Sequence, residues 1–391
     1  MADRVIDRVS DQADQLRELA WEAERIGRLP DESVKMLKSA GVMRLMQPTR
    51  YGGMEAHPRE FAETVMATAA LDPACGWVAG VVGIHPWLLA FAEESVQEEI
   101  WGEDADTWIA SPFSPSGVAR PVADGYRFDG RWQFSSGTDH CDWIFLGAMV
   151  GDDDGVPLTP PKMLFMILPR DDYEIVDDSW NVIGLKGTGS KDVIVRDAFV
   201  PNHRVMPSVM DGVTELHSAS KNTLYHLPWS MMFPLGLTGA VIGMAEGALA
   251  AHLDYQRHRV NAVGTAIRDD PYVLSAIAEA AADINAARQE LLANVDAMWS
   301  LVDSGGRVSF ADRAVGRRTQ IRAAWRAVAA VDQIFARSGG NALRADTPLQ
   351  RYWRDAHAGL NHVTHVPGTT FHASALCELG IEPGGPLRAM I

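Results

Sequence analysis

The sequence predicts an α+β fold that is mostly helical: a helical N-terminal domain, a β domain in the middle and a helical bundle at the end. Three observations carry this expectation. Apolar residues recur three and four apart through the first hundred positions. Between about 113 and 212 they give way to short alternating segments broken by Pro112, Pro115 and Gly117. Beyond Leu227 the pattern returns to long Ala-rich helical stretches. The expected domains are therefore 1–112, 113–212 and 213–391.

The first helices are expected over 16–26 and 32–40, the second opened by Pro30-Asp31 and closed by Gly41. Further helices are expected over 59–70 and 74–94. In the β domain, residues 126–134 alternate aromatic and polar side chains around Asp129-Gly130, which predicts a hairpin turning there. Strands are expected over 143–150, 163–168, 192–195 and 198–200, with an exposed loop at Asp152-Asp153-Asp154-Gly155. The bundle helices are expected over 234–259, 272–304, 310–338 and 349–364.

The chain has 391 residues, 47% of them hydrophobic and 22% charged, with a formal net charge of -16. An acidic chain is a poor partner for nucleic acid or an anionic membrane surface. The apolar stretches 78–92 and 236–253 contain His85 and Pro86, and Glu246 with four glycines, so both read as buried helices rather than membrane spans. Three separated cysteines, Cys75, Cys141 and Cys377, and an N-terminus without an apolar leader predict a cytoplasmic protein with reduced thiols.

No G-x-G-x-x-G is present: Gly187-Thr188-Gly189-Ser190 starts well, but Asp192 stands where the third glycine belongs. The phosphate-binding loop, the zinc helix motif and the serine nucleophile elbow are also missing. Several other segments run in a telling order. They are Gln47-Pro48-x-x-Tyr51-Gly52-Gly53, Gly83-Ile84-His85-Pro86-Trp87 and Gly130-x-Trp132-x-Phe134-Ser135-Ser136-Gly137. Asp139-His140-x-x-Trp143, Gly184-Leu185-Lys186-Gly187-Thr188-Gly189-Ser190 and Tyr352-Trp353-Arg354-Asp355-Ala356-His357-Ala358-Gly359 follow. Together they resemble the flavin-dependent monooxygenase branch of the acyl-CoA dehydrogenase superfamily. That group includes secosteroid, p-hydroxyphenylacetate and dibenzothiophene oxygenases.

The resemblance implies a middle β-barrel and a C-terminal four-helix bundle that carries flavin and subunit contacts. It implies the oxygenase component of a two-component system. Reduced flavin (FADH2 or FMNH2) and O2 would form a C4a-hydroperoxide that hydroxylates an aromatic small molecule, and a dry, hydrogen-bonded site would restrain its loss as hydrogen peroxide. With no nicotinamide motif visible, reduced flavin would come from a separate NAD(P)H:flavin reductase; the family also implies a homotetramer. The two catalytic positions it implies are Ser136, near the flavin N5, and His362, as a donor to the peroxide.

Residue by residue, alternatives stay open. Ser135-Ser136-Gly137 suits an ordinary strand-ending turn, yet alternation places Trp132 and Phe134 on the face of Ser136, where a flavin edge would lie. Gly187, Thr188 and Ser190 are the expected cofactor neighbours in the second turn. Arg259, with Arg257 beside it, and Arg337 in Arg337-Ser338-Gly339-Gly340 are candidates for the flavin phosphate, though Ala262-Val263-Gly264 replaces the dehydrogenase Arg-Phe-Gly pattern. His362 and His365 are expected to share a helical face next to Asn361, as a capped helix end, a metal pair or a catalytic and substrate-binding pair. His85, in an apolar run, is either a satisfied core histidine or a substrate ligand, with Trp87 and Phe113 as pocket walls. An acyl-CoA dehydrogenase acting on a thioester is the alternative function; its carboxylate base would have to be Glu378 or Glu382, which stand in a Gly/Pro-rich tail.

Overall fold

The computed structural model describes residues 4–210, 214–218, 220–260, 264 and 266–391. The N-terminal helices are α1 (Val5–Asp11), α2 (Ala13–Ile26), α3 (Asp31–Ala40), α4 (Pro58–Leu71), α5 (Pro73–Val82), α6 (His85–Leu89) and α7 (Glu94–Trp101). Their ends follow local chemistry. Gly27 and Gly41 close α2 and α3 in the left-handed region at φ 70° and 79°. Asp72 caps α5 by accepting the Ala74 N–H, with Pro73 in the first turn. The single helix expected over 74–94 is two. Pro86 has no N–H to continue α5, so the chain turns at Gly83-Ile84 and restarts with proline in the first turn of α6.

Eight strands follow: β1 (Ile109–Ala110), β2 (Gly117–Val122), β3 (Gly125–Ser135), β4 (Trp143–Val150), β5 (Met163–Pro169), β6 (Glu174–Val176), β7 (Lys191–Pro201) and β8 (Val205–Pro207). They form one mixed sheet in the order β6-β7-β3-β2-β4-β5-β8, with β1 parallel to β4. The hairpin turns at residues 123 and 124, where Val122 pairs with Gly125 and Asp124 takes φ 63°, not at Asp129-Gly130. Asp129-Gly130 instead marks a bulge against β7. A Cβ on Gly130 would lie 2.5 Å from the Trp132 ring, so only glycine lets that indole fold under the strand. The two strands expected over 192–200 are the single strand β7.

The C-terminal helices are α8 (Trp229–Arg257), α9 (Pro271–Asp303), α10 (Phe310–Ala336), α11 (Pro348–Leu360) and α12 (Gly368–Glu378). α8 starts five residues before Pro234, which it carries inside. It is long and apolar enough to cross a membrane, but 89% of its most apolar window is buried among the other helices. Its glycines explain the closeness: a Cβ on Gly236 would sit 2.2 Å from the Gly80 carbonyl of α5, and one on Gly243 2.2 Å from the Met66 carbonyl of α4. The expected domain boundary at 212 and 213, like Ala262 and Val263, lies outside the described residues.

Candidate functional site

The Ser-Ser-Gly turn at the end of β3 and the Gly-Thr-Gly-Ser turn before β7 are pinned together, Gly137 N–H donating to Thr188 O at 2.9 Å. Gly187 is packed against Ala23 and Ala74, where a Cβ would stand 2.8 and 2.9 Å away. Asp355 of α11 accepts the Leu185 N–H and holds that residue in the left-handed region at φ 54°. Burial pushes the Asp355 carboxyl up to about 7, opposed by that N–H.

A chain of hydroxyls crosses the two turns. Trp77 Nε1 donates to Ser136 Oγ at 3.2 Å, Ser136 Oγ lies 2.7 Å from Ser190 Oγ, and Ser190 Oγ lies 2.6 Å from Thr188 Oγ1. Thr188 Oγ1 donates to the Leu185 carbonyl at 2.8 Å, and a carbonyl only accepts. The protons therefore run one way: Ser190 donates to Thr188 and Ser136 donates to Ser190. Ser136 keeps a lone pair and presents an acceptor.

The expected face of this strand needs correction. Trp132 is fully buried, its Nε1–H shared between the Ser114 and Gly147 carbonyls at 3.1 and 2.9 Å; it is core of the sheet, not a cofactor contact. The register shifts between Trp132 and Ser135, and Phe134 takes φ 66°, so alternation from Trp132 does not carry through. Phe134 is 64% exposed beside Ser136, against the edge of Trp180. Ser135 faces inward, wholly buried, and its hydroxyl has no partner among the described residues. An exposed aromatic face beside a serine acceptor fits the edge of a flat ring that carries an N–H, as reduced flavin does.

On the other side of Trp77 lies His362, ring centroids 5.8 Å apart. α11 ends at Leu360, and His362 turns extended at φ -64°, ψ 142° to cap the 3-10 turn Val363–His365. The pair therefore does not share a helical face, because the His362 side chain replaces the next helical bond. His362 Nδ1 accepts the Thr364 N–H at 3.3 Å and lies 2.9 Å from Thr364 Oγ1. A nitrogen that accepts an N–H carries no proton, so the proton sits on Nε2, which meets no partner among the described residues. Desolvation, then the positive charge of Arg317, hold the His362 pKa down at about 4, and the ring is neutral at pH 7.

Arg317 of α10 is itself 1% exposed. It donates to the Thr364 carbonyl and to Gln320 Oε1, each at 2.6 Å, and forms no ion pair among the described residues. His365 is fully buried with both nitrogens engaged, Nδ1 by the Gly359 carbonyl at 2.9 Å and Nε2 by Thr238 Oγ1 at 3.1 Å. With no free nitrogen it anchors the turn and is withdrawn as a substrate contact. No metal-ligating cluster forms among the described residues.

His85, the first residue of α6, is fully buried; its Nδ1 bonds the Ile109 carbonyl, and its Nε2 lies 2.9 Å from Ser111 Oγ. The carbonyl takes the Nδ1 proton, so Nε2 accepts from Ser111. Burial lowers its pKa to about 4. Phe113 stands at the centre of an aromatic pocket, with its centroid 5.5 Å from His85, 4.9 Å from Phe165, 5.1 Å from Trp229 and 5.4 Å from Phe233. Trp87 lies further out, its Nε1 bonded to the Leu224 carbonyl at 2.9 Å and its ring 6.3 Å from Trp229. Phe233 closes the circuit, stacked 4.6 Å from Trp229 and 6.3 Å from His362. Sequence reasoning missed Trp77, Ser111, Trp229, Phe233, Arg317 and Thr364.

Arg259 and Arg337 meet at the far ends of α8 and α10. Arg259 Nη1 donates to the Arg337 carbonyl at 3.2 Å, close over Gly339, where a Cβ would be 2.5 Å from Nη2. Arg257 sits on the surface with Asp254 at 3.4 Å.

Helices on either side of a β domain frame a serine acceptor on an exposed aromatic ledge and a neutral donor histidine. Residues 235–367 match the acyl-CoA dehydrogenase, C-terminal domain family. The chain is 58% identical to the pigment production hydroxylase of Rhodococcus erythropolis, covering 100% of both. It is 41% identical to the flavin-dependent monooxygenase, oxygenase subunit HsaA, of Rhodococcus jostii (strain RHA1), covering 94% of this chain and 96% of that one. The crystal structure of 3-HSA hydroxylase from Rhodococcus sp. RHA1 matches with a TM-score of 0.92 at 39% identity, covering 99% of each chain. The chain belongs to the flavin-dependent monooxygenases of the acyl-CoA dehydrogenase superfamily.

Proposed function

We propose that the protein is the oxygenase component of a two-component monooxygenase that hydroxylates a phenolic ring held in the pocket around Phe113. Bound reduced flavin supplies the electrons that activate O2, so that one oxygen atom enters the ring and the other leaves as water. Ser136, its own proton committed to Ser190, would accept an N–H of the bound flavin, and the exposed Phe134 would offer it an apolar contact. His362 offers Nε2–H to developing negative charge on oxygen and, being neutral, gives up no proton of an imidazolium. Ser111 Oγ, its own proton committed to His85 Nε2, would accept the phenol hydroxyl, polarising the O–H and raising electron density on the ring; His85, with both nitrogens engaged, orients that serine. The wall of Phe113, Phe165, Trp229 and Phe233 excludes water.

The observation that carries this reading is the His362 ring, whose proton Thr364 confines to the nitrogen without a protein partner. The thioester alternative needs a carboxylate in the pocket. Glu378 is bound to Arg318 and Glu382 to Arg388, on the exposed C-terminal segment. Reduced flavin would be delivered by a separate NAD(P)H:flavin reductase, and a homotetramer in the cytoplasm is the expected form. Arg259 and Arg337 remain the proposed flavin-phosphate contacts.

The test is His362→Asn, assayed for hydroxylated product and hydrogen peroxide per reduced flavin consumed. The variant is expected to leak more peroxide while flavin affinity changes much less. Equal leakage in variant and parent would remove His362 from the site.

A further inference from the structure

A cleft of about 590 Å³ shares Trp87 and Trp229 with the aromatic pocket and is also lined by Arg307 and Arg313. Its volume lies in the range of small-ligand sites. Leu216, Tyr225 and Leu227 give it apolar walls. Several of its donors have no acceptor among the described residues.

Trp229 and Ser230 are the first two residues of α8, and the residue before them, Pro228, has no side-chain acceptor to cap their N–H groups. Trp229 Nε1 and Ser230 Oγ are themselves buried without a partner among the described residues, the residues 7% and 6% exposed. Arg313 makes no hydrogen bond or ion pair among the described residues. Its guanidinium lies 5.6 Å from the Phe310 ring centroid, and its Nε is buried and unpaired. Burial lowers its pKa, opposed by the negative charge of Glu215 and assisted by the positive charge of Arg388. Glu215, the carboxylate among the lining residues, is taken by Arg307 at 3.1 Å. Unsatisfied buried donors of this kind call for an explanation, and donors are satisfied by an acceptor. At a helix N-terminus beside an arginine that has no hydrogen-bond partner among the described residues, the acceptor that fits is an anionic oxygen.

We propose that this cleft binds a carboxylate on the non-reacting end of the substrate, with Arg313 as its recognition residue. The substrate class is then a phenol whose apolar body and acidic side chain pass Trp229, with the ring end at His85 and Ser111. The ring-end placement rests on the hydroxylase reading above; the carboxylate end rests on the cleft alone.

The probes are 4-(4-hydroxyphenyl)butanoate and its carboxamide, titrated against the full-length protein by tryptophan fluorescence and then supplied with reduced flavin and O2. The parent is expected to bind the acid about tenfold more tightly than the amide, the scale of one charge-assisted hydrogen bond. In Arg313→Met the ratio should fall to about one, and Arg313→Lys should restore part of it. Equal affinity for acid and amide in the parent, no binding of either, or an acid preference that survives Arg313→Met overturns the proposal. Loss of flavin affinity in Arg313→Met with the acid preference intact also overturns it and assigns the arginine to a flavin phosphate. Hydroxylation of the amide tests the oxygenase reading separately from this ratio, so either can fail without the other.

Discussion

Replacing Arg317 by Met removes a buried cation that no carboxylate among the described residues neutralises, and two opposing terms set the outcome. The guanidinium donates to Thr364 O and Gln320 Oε1. Leaving those acceptors without a donor costs roughly 1–3 kcal/mol each. Against this, desolvation presses the Arg317 pKa from 12.5 to about 9, which corresponds to roughly 5 kcal/mol of unfavourable burial that Met would not carry. The terms are of similar size, so the variant is expected to unfold within about 2 kcal/mol of the parent, as buried charges exchanged for an apolar side chain often do. The reaction should suffer all the same. Thr364 would lose the partner of its carbonyl while its N–H and hydroxyl still hold His362 Nδ1. Urea unfolding would be measured alongside product and hydrogen peroxide per reduced flavin, and the parent's coupling should be lost more than its stability. A loss of more than about 3 kcal/mol with coupling unchanged would make Arg317 a structural staple and refute the argument. Arg317→Lys keeps a charge but loses the forked geometry, and should recover coupling only in part.

Gly236→Ala places a Cβ 2.2 Å from the Gly80 carbonyl, so α5 and α8 must separate; a loss of about 3 kcal/mol or more is expected in urea unfolding, and a neutral variant would disprove the close crossing. Stability should also fall with acid. His85, His362 and the buried His252 of α8, which bonds Ser338 at 2.8 Å, are lowered to about 4 and His365 to about 3, so the unfolded chain takes up more protons as pH drops below 6.5. Each histidine therefore contributes stability that is complete above its unfolded pKa and lost as pH falls toward 4, at up to roughly 1.4 kcal/mol per pH unit. Asp355, raised to about 7, opposes them with the other sign. Unfolding midpoints that stay flat from pH 7 to 4.5 would contradict the burial of these rings.

What the sequence made legible was whatever local chemistry decides. α3 is bracketed by Pro30 and Gly41, and the bundle helices keep their period over many turns, so both were readable. Parity along β3 was not, because one irregular residue before Ser135 separates Trp132 from Phe134 and Ser136. His362 and His365 look alike on paper and end up opposite. One ring nitrogen is left free on the first, whereas Thr238 and Gly359, far away or behind a turn, occupy both on the second. Ser111 stands 26 residues from His85 and meets it only once β1 pairs with β4. Arg317 lies among Arg313, Arg318 and Arg322 on a helix of mixed character, and nothing in that pattern marks the one that is buried.

The remaining regularity concerns where the protons are. At Ser136 the direction of the hydroxyl chain is set three bonds away, by a carbonyl of Leu185 held in a left-handed turn through Asp355. At His362 it is set by the N–H of Thr364, and at His85 by the carbonyl of Ile109. In each case the group proposed to meet the ligand, or at Ser111 the histidine that orients it, has its donor or acceptor role decided by a second partner before any ligand enters. A competing release of peroxide makes such advance placement useful, since a donor that must first reorient gives the side reaction time. Water held beside His362 Nε2 would satisfy the donor that the proposed reaction needs free, which gives the aromatic wall of Phe113, Phe165, Trp229 and Phe233 a use.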